Sequence, residues 1–208
     1  NISCDVFVNG KKAGGHVGGY VGFDVDITAF VQKGKNTILV KVDNSVNREV
    51  IPSQKSDFFI FGGITRDVYL KVLEPIHIAN VKISTPGVSE KSAETVLDVK
   101  INNQSSKKKL VSITAKIWNK ENILMAETLK SIDANPGVVQ STIKMPEVKN
   151  PDLWSPDSPN LYTLEVQLPS GDKVIEEFGY RWFEFEENGP FYLNGERLLL
   201  RGTHRHEE

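Results

Sequence analysis

The chain has 208 residues, a formal net charge of −2 at pH 7, and 39% hydrophobic and 25% charged residues. This composition is typical of an ordinary globular protein of one or two domains, and the low charge gives no reason to expect nucleic acid or an anionic membrane as a partner. No stretch approaches the roughly 20 apolar residues that a membrane-spanning helix needs. The single cysteine, Cys4, excludes an internal disulfide but leaves a cytoplasmic and a periplasmic or secreted location equally open.

The first block of the chain alternates apolar and polar residues, as half-buried strands do. Its predicted strands are residues 5–8, 38–43 and 68–73. The first of them leads into Asn9-Gly10, a hairpin turn signal because both residue types tolerate positive φ. Pro75 then breaks the pattern. We therefore predict a first domain over residues 1–74.

The second block, residues 75–181, shows the same alternation more often. Its predicted strands include residues 96–101, 111–117, 123–129, 138–145 and 162–168. Turn residues rich in Asn, Gly and Pro separate them, and no window shows the apolar stripe of a helix. Six or seven short strands in about 105 residues are typical of an immunoglobulin-like sandwich. The predicted fold class is therefore all-β, built from β-sandwich domains.

The third block, residues 182–208, begins with alternating residues and a second hairpin signal at Asn194-Gly195. The run Leu198-Leu199-Leu200 then differs, because it is continuously apolar, as expected of a strand that is buried on both faces. A buried strand that delivers ionisable side chains at its C-terminal end is how barrels of alternating strands and helices build active sites. We therefore predict that a new domain with a parallel barrel begins here.

Ionisable residues crowd the end of this block, with His204, Arg205, His206 and Glu207 in sequence. Along a strand, His204 and His206 would point to the same side. Three interpretations stay open at this point: a pair of metal ligands as in amidohydrolase-type barrels, a histidine that hydrogen-bonds a substrate hydroxyl, or a polar loop.

Two further residues are candidates for a sugar site. Asp57 precedes a run of aromatic residues and Gly62-Gly63, so its carboxylate could accept hydrogen bonds from sugar hydroxyls while rings cover the apolar face of the sugar. An ordinary turn aspartate beside core aromatics explains the same pattern. Trp154 lies in a proline-rich loop, where a packed anchor is favoured over a sugar platform.

Several motifs, taken in order, resemble glycoside hydrolase family 2, the family of β-galactosidases, β-glucuronidases and β-mannosidases. Three resemble its sugar-binding jelly-roll: VFVNG at 6–10, HVGGY to FDVDIT over 16–28, and GGITRDVYL at 62–70. Two resemble the end of its immunoglobulin-like domain: LWSP at 153–156 and PNLY at 159–162. The last group resembles the entry to its catalytic TIM barrel: FGYR at 178–181, LNG at 193–195 and LRGTHRHE at 200–207.

The resemblance implies three segments and a set of site residues. Residues 1–74 would be the C-terminal part of the jelly-roll, residues 75–181 the immunoglobulin-like domain, and residues 182–208 the truncated start of the TIM barrel. Asp57 would reach into the active site and bind sugar hydroxyls, and His206 would contact the substrate. The secondary candidates are His204, Arg205 and Glu207. His204 stands where many members of the family have Asn.

The resemblance also implies retaining hydrolysis by two glutamates whose carboxyl groups lie roughly 5 Å apart. Both would come from later barrel strands, so this chain would contain no catalytic residue and would be inactive alone. The expected parent is an exo-acting β-glycosidase with a carbohydrate substrate, no cofactor and no metal, and a homo-oligomer stays open. A β-galactosidase is our first expectation, and a β-glucuronidase or β-mannosidase is the alternative.

Two interpretations of other classes remain. A stand-alone carbohydrate-binding or adhesion module would explain the tandem sandwiches, but it would leave Leu198-Leu199-Leu200 exposed as an aggregation liability. A metal-dependent amidohydrolase would begin its site at His204 and His206. Because Asn1-Ile2-Ser3-Cys4 has neither an initiator Met nor a leader pattern, we expect the chain to begin inside a folded domain.

Overall fold

The computed structural model describes residues 2–50 and 61–203. Within these residues every regular element is a β-strand, which confirms the all-β prediction. A helix long and apolar enough to cross a membrane does not occur in this described part of the chain. The chain divides into two compact units between Leu70 and Lys71, and each unit is described by itself.

The first unit contains a sheet of three antiparallel strands in the spatial order β2-β1-β3. Their bounds are β1 Ser3–Val8, β2 Lys11–Val17 and β3 Ile38–Asp43. The central strand buries Val6 and Val8 on one face. Asn9 and Gly10 connect β1 to β2 with φ of 49° and 81°, the conformation that a two-residue hairpin turn of type I′ requires. The strands predicted over residues 5–8 and 38–43 and the turn at Asn9-Gly10 are confirmed.

The side chain of Asn9 ties this hairpin to the loop that precedes β3. Its Nδ2 donates to the backbone carbonyl of Phe30 at 3.0 Å and to Oδ1 of Asn36 at 2.8 Å. Its Oδ1 accepts the backbone N–H of Thr37 at 3.0 Å. The carboxamide of Asn9 therefore makes three hydrogen bonds and has a fixed orientation.

The strand predicted over residues 68–73 is absent from the structure. These residues form no ladder, and their apolar side chains are exposed, with Val72 at 89%. A strand needs a neighbour for its backbone N–H and C=O groups, and no segment among the described residues pairs with this one. The prediction was wrong because alternation shows which residues suit a sheet, whereas it does not show that a partner strand is present.

The second unit contains twelve strands among the described residues. In chain order they are β4 Ile76–Ser84, β5 Ser92–Ala93, β6 Val96–Asn103, β7 Lys109–Trp118, β8 Leu124–Ala134, β9 Gly137–Lys144, β10 Val148–Lys149, β11 Tyr162–Gln167, β12 Lys173–Phe178, β13 Phe183–Phe185, β14 Phe191–Leu193 and β15 Glu196–Leu198. Two antiparallel sheets, β4-β6-β9 and β12-β11-β7-β8, share one hydrophobic core. These seven strands agree with the number predicted for an immunoglobulin-like sandwich.

The core of the sandwich follows directly from the period-2 pattern. Alternate residues of the central strands point inward and have no exposed surface: Leu97, Val99, Ile101, Ile113, Ala115, Ile117, Leu164 and Val166. Registers that oppose Ile117 to Leu164, and Ala115 to Val166, keep these side chains on the same face of the sheet. Each buried large aliphatic side chain stabilises the fold by about 1.5–3 kcal/mol relative to an exposed one.

Buried polar contacts complement this core. Asp172, in the turn between β11 and β12, accepts the backbone N–H of Ile78 in the other sheet at 2.7 Å. The hydroxyl of Tyr180 lies 2.6 Å from Oγ1 of Thr95, and both residues are fully buried. Burial raises the pKa of Tyr180 to about 12, and the contact with Thr95 opposes that rise in part. The two sheets are thus joined by hydrogen bonds as well as by apolar packing.

The last three strands form a small antiparallel sheet in the order β13-β14-β15. The alternating residues at the start of the third block form β13, and the turn predicted at Asn194-Gly195 is confirmed. The run predicted to be buried on both faces is not buried: β15 ends at Leu198, and Leu199 and Leu200 are 69% and 63% exposed. Such burial requires strands on both sides and cover on both faces, and the described residues supply neither.

Candidate functional site

The predicted site residues lie outside the part of the chain that the structure describes. Asp57 falls within residues 51–60, and the remaining candidates His204, Arg205, His206 and Glu207 fall within residues 204–208. Their roles therefore stay predictions. What the structure adds is the geometry of the residues that flank Asp57 and of two surfaces that sequence reasoning did not single out.

Two side-chain turns shape the approach to Asp57 from β3. Asp43 ends that strand, and its Oδ1 accepts the backbone N–H of Ser45 at 2.7 Å. The Ser45 hydroxyl and then its N–H hold the pKa of this carboxyl below its usual range. Asn47 repeats the pattern by accepting the N–H of Glu49 at 3.0 Å. These local bonds replace the ladder that ends with the strand and direct the chain into a loop.

Two described residues on either side of residues 51–60 lie close together. A Cβ added to Gly62 would lie 3.3 Å from Nδ2 of Asn44, a distance that leaves little room for a side chain larger than hydrogen. Gly63 has a φ of +83°, which a glycine adopts without strain. Phe61 is largely exposed beside them. The described residues on the two sides of the segment that contains Asp57 therefore meet at Asn44 and Gly62.

A polar groove of about 390 Å³ lies on the outer face of the three-stranded sheet. The sheet register opposes Asp5 to Lys41 and Ser3 to Asp43, and Nζ of Lys12 lies 2.6 Å from Oδ1 of Asp5. The groove therefore presents hydrogen-bond donors and acceptors side by side, with charges that balance. The sequence analysis missed it, although the alternation of Ser3 with Asp5, and of Lys41 with Asp43, was a signal.

His16 also borders this groove, and its ring is stacked. The imidazole lies parallel to Phe23, with 4.5 Å between the ring centroids and an angle of 5° between the planes. Its Nε2 is buried and has no hydrogen-bond partner in the described structure. The adjacent Gly14 and Gly15 lie within β2, where added Cβ atoms would approach Val25 and the carbonyl of Cys4 within 2.8 and 2.6 Å. These glycines permit close packing within the unit.

Trp154 is a packed anchor in the second unit. Its backbone N–H donates to the carbonyl of Tyr180 at 2.8 Å, and its own carbonyl accepts Nδ2 of Asn194 at 3.0 Å. The guanidinium of Arg181 lies 4.5 Å from the centre of the indole ring. A Cβ added to Gly179 would come within 2.7 Å of Trp154 Cβ. The tryptophan therefore connects the last strands of the sandwich to the hairpin that follows.

An apolar cleft of about 380 Å³ lies beside this anchor. Its walls include Phe183, Phe185 and Phe191, together with leucine side chains of β14 and β15. The cleft lacks the converging polar groups that orient a sugar, so it is a poor candidate for the substrate site. Among the described residues, no group of three His, Cys, Asp or Glu side chains could hold a metal ion.

Comparison with protein families gives matches over nearly the whole chain. Residues 76–181 match the family described as glycosyl hydrolases family 2, and residues 1–74 match the sugar binding domain of the same family. The two matched segments meet next to Pro75.

Individual relatives agree with the family match. A protein of Formosa agariphila named "Putative beta-glucuronidase" is 50% identical to this chain over its full length, and the match covers 25% of that protein. A β-galactosidase of Thermoanaerobacter pseudethanolicus is 34% identical over 97% of this chain and 28% of its own length. The crystal structure of a Bacteroides uniformis β-glucuronidase superposes with a TM-score of 0.85 at 31% identity, over 93% of this chain and 25% of that one. The chain spans about a quarter of the length of the curated relatives it matches.

Proposed function

Because the chain belongs to family 2 of the glycosyl hydrolases, we propose that it is the non-catalytic N-terminal part of a longer retaining exo-β-glycosidase. The observation that carries this proposal is the family match, which extends through both units and agrees with relatives about four times as long. In this proposal the chain supports a catalytic barrel formed by later residues. The two catalytic glutamates belong to that barrel, and the chain alone is inactive.

The sugar is the finer part of the proposal. A β-galactosidase was our first expectation, and the relatives give it no specific support because some are named β-galactosidase and others β-glucuronidase. The relative that is 50% identical is named as a β-glucuronidase, as is the superposed crystal structure. We therefore place a terminal β-glucuronide first among the substrates, and a β-galactoside second.

Within this enzyme, Asp57 would accept hydrogen bonds from two sugar hydroxyls, and His206 would contact the substrate from the barrel side. His204, Arg205 and Glu207 would shape the surroundings of His206. The close approach of Asn44 and Gly62 supports the role of Asp57, because it brings together the described residues on either side of the segment that contains Asp57. Phe61, exposed next to Gly62, could cover an apolar sugar face.

The domain division is also a proposal, with a jelly-roll part over residues 1–74, an immunoglobulin-like part over 75–181 and a barrel entry over 182–208. The family matches to residues 1–74 and 76–181 support the first boundary. In the structure, the second unit begins slightly earlier, at Lys71, and continues to Gly202. The barrel entry therefore packs with the sandwich in the described chain.

The test is hydrolysis of chromogenic β-glucuronide, β-galactoside and β-mannoside by the full-length parent protein. Asp57→Asn should lower kcat/KM for the preferred substrate roughly a hundredfold or more, since the neutral amide can accept only through its oxygen, so that one hydrogen bond is lost and the other is no longer strengthened by the charge. Asp133→Asn is the matched control, because this aspartate forms only an exposed ion pair with Lys108. It should leave turnover unchanged.

The outcomes separate the parts of the proposal. Turnover of none of the three substrates by the parent would overturn the glycosidase assignment for these sugars. Turnover with no loss in Asp57→Asn would keep the reaction and remove Asp57 from the site. Preference for the galactoside over the glucuronide would reverse our order of substrates.

A further inference from the structure

We propose that, in the folded protein, Asn188 is the fastest of the three Asn-Gly asparagines of this chain to deamidate spontaneously, which makes it a site of covalent modification. The sequence contains three such pairs, Asn9-Gly10, Asn188-Gly189 and Asn194-Gly195. All three asparagines have positive φ, at 49°, 56° and 53°, so this torsion does not distinguish them. Their side chains differ sharply. The inference does not depend on the proposed function.

The chemistry requires a mobile side chain. The backbone nitrogen of the glycine, after losing its proton, attacks Cγ of the preceding asparagine and forms a five-membered succinimide. The amide nitrogen leaves and takes up a proton, so that ammonia is released. Water then opens the ring at either carbonyl and gives aspartate or isoaspartate. Glycine permits the reaction best because it has no side chain to block the approach. The carboxamide must rotate toward the glycine nitrogen, so hydrogen bonds that hold it slow the reaction.

Asn9 is held against this rotation. As described above, its carboxamide donates to Phe30 and Asn36 and accepts from Thr37. The residue is exposed, so solvent access does not protect it. Protection comes from the three hydrogen bonds, all of which must be disturbed before Cγ can meet the nitrogen of Gly10.

Asn194 is held in a similar way. Its Nδ2 donates to the carbonyl of Trp154 at 3.0 Å, and its Oδ1 accepts the backbone N–H of Trp182 at 3.2 Å. The residue is also half-buried, which restricts the entry of water. Rotation of this carboxamide would leave the Trp154 carbonyl without its donor.

Asn188 has none of these restraints. It is exposed, and its carboxamide makes no hydrogen bond within the described part of the chain. The N–H of Gly189 donates to the carbonyl of Glu186 at 3.1 Å in a single exposed turn. That bond opposes the attack, but water can replace it without a buried group being left unpaired. Asn188 therefore has the lowest barrier of the three.

The modification would change the charge of this hairpin. Glu184, Glu186 and Glu187 already surround the turn, and the Glu186 carboxylate raises the pKa of Tyr192 by its negative charge. A new carboxylate at position 188 adds repulsion among like charges that lie within a few residues of each other. An isoaspartate would also lengthen the backbone of the turn by one atom.

The experiment is incubation of the purified full-length protein in mildly alkaline buffer, followed by proteolysis and mass analysis of the three Asn-Gly peptides. We expect Asn188 to convert roughly ten-fold faster than Asn9 or Asn194, because each of the latter must first lose two or three hydrogen bonds. The same incubation in urea is the control. There the three rates should converge, since the folded-state bonds are gone.

The proposal can be contradicted both by the incubation of the folded protein and by the incubation in urea. The proposal would be overturned if Asn9 or Asn194 deamidated as fast as Asn188 in the folded protein. An advantage of Asn188 that persists undiminished in urea would also overturn the proposal, because the local sequence would then be the cause of that advantage. Asn188→Gln should remove the fast conversion, since cyclisation of glutamine needs a less favourable six-membered ring. A fast component that remains in this variant would place the reaction elsewhere.

Discussion

The sandwich strands and residues 61–73 carry the same kind of sequence and have opposite fates. Leu164 in β11 is completely buried, whereas Leu70 is 70% exposed. Both belong to runs in which apolar residues recur at short intervals. The sandwich strands have hydrogen-bonded neighbours on the described chain, and residues 61–73 have none there.

The comparison shows that the burial of an apolar side chain depends on a neighbouring strand or layer as much as on the sequence pattern. An alternating run offers one apolar face, and a second layer must cover that face before it stabilises anything. Three matched pairs of residues, with one member in each region, test this difference. In each pair the substitution is the same, so the difference reports the surroundings.

The largest difference is expected for leucine. Leu164→Ala should lower the free energy of unfolding by about 2–5 kcal/mol, because it removes apolar contacts and leaves a cavity in the core. Leu70→Ala should change it by no more than about 0.5 kcal/mol. Urea unfolding of the chain, followed by far-ultraviolet circular dichroism, measures both. A cost for Leu70→Ala that equals the cost for Leu164→Ala would show that residues 61–73 are covered in solution, and the comparison would fail.

The second pair consists of Tyr180 and Tyr69. Replacing each by Phe should affect the free energy of unfolding differently, and only at high pH. The pKa of Tyr180 is raised from 10.0 to about 12 in the folded chain, so the unfolded state loses its proton first as the pH rises. Stability from this group is complete below about pH 10 and is lost between about pH 10 and 12, by on the order of 2 kcal/mol. Tyr180→Phe should reduce this loss of stability at high pH. Part of the loss should remain, because burial also raises the pKa of Tyr162.

The matched control for this pH dependence is Tyr69→Phe, because Tyr69 is largely exposed. It should keep the slope of the unsubstituted chain when unfolding is measured in urea at several values between pH 9 and 12. If both variants lost the same part of the slope, the tyrosines of the two regions would not differ in the way that their burial indicates.

The smallest difference is expected for aspartate. Asp172→Ala leaves the N–H of Ile78 without its acceptor, and we expect a loss of about 1–2 kcal/mol. Asp67 accepts a hydrogen bond from the hydroxyl of Tyr69 at 2.9 Å, but both residues are exposed, so Asp67→Ala should cost about 0.5 kcal/mol or less. Differential scanning calorimetry distinguishes the two. Equal losses would mean that the hydrogen bond between Ile78 and Asp172 stabilises the fold no more than the exposed one between Tyr69 and Asp67.

Much of the sandwich could be predicted from the sequence because its strands pair within the same chain. The strand over residues 111–117 and the face that it buries could be predicted from period-2 alternation, whereas the register of its neighbours was not predicted. Other strands escaped prediction. β2 contains Gly14 and Gly15, whose lack of a side chain hides any alternation. The apolar runs at 68–73 and 198–200 were misjudged, since their burial depends on strands that the described chain does not supply.

The candidate site depended on resemblance more than on pattern. Nothing in composition separates Asp57 from a turn aspartate beside aromatic residues, and its role and that of His206 stay predictions. The polar groove of Asp5, Lys12 and Lys41 was overlooked for a different reason. Its residues lie on three strands, and only the sheet register brings them together.

The hydrogen bond between Asn194 and Trp154 determines where a domain can be excised from this protein. The family pattern ends at Arg181, and that position would be the natural place to excise the sandwich. A piece that ended there would lose Asn194, so the carbonyl of Trp154 would lose its donor and the indole its neighbouring hairpin. The segment to excise is instead Lys71–Gly202, which includes strands β13, β14 and β15. A graft, fusion or circular permutation should keep those twenty-one extra residues with the sandwich.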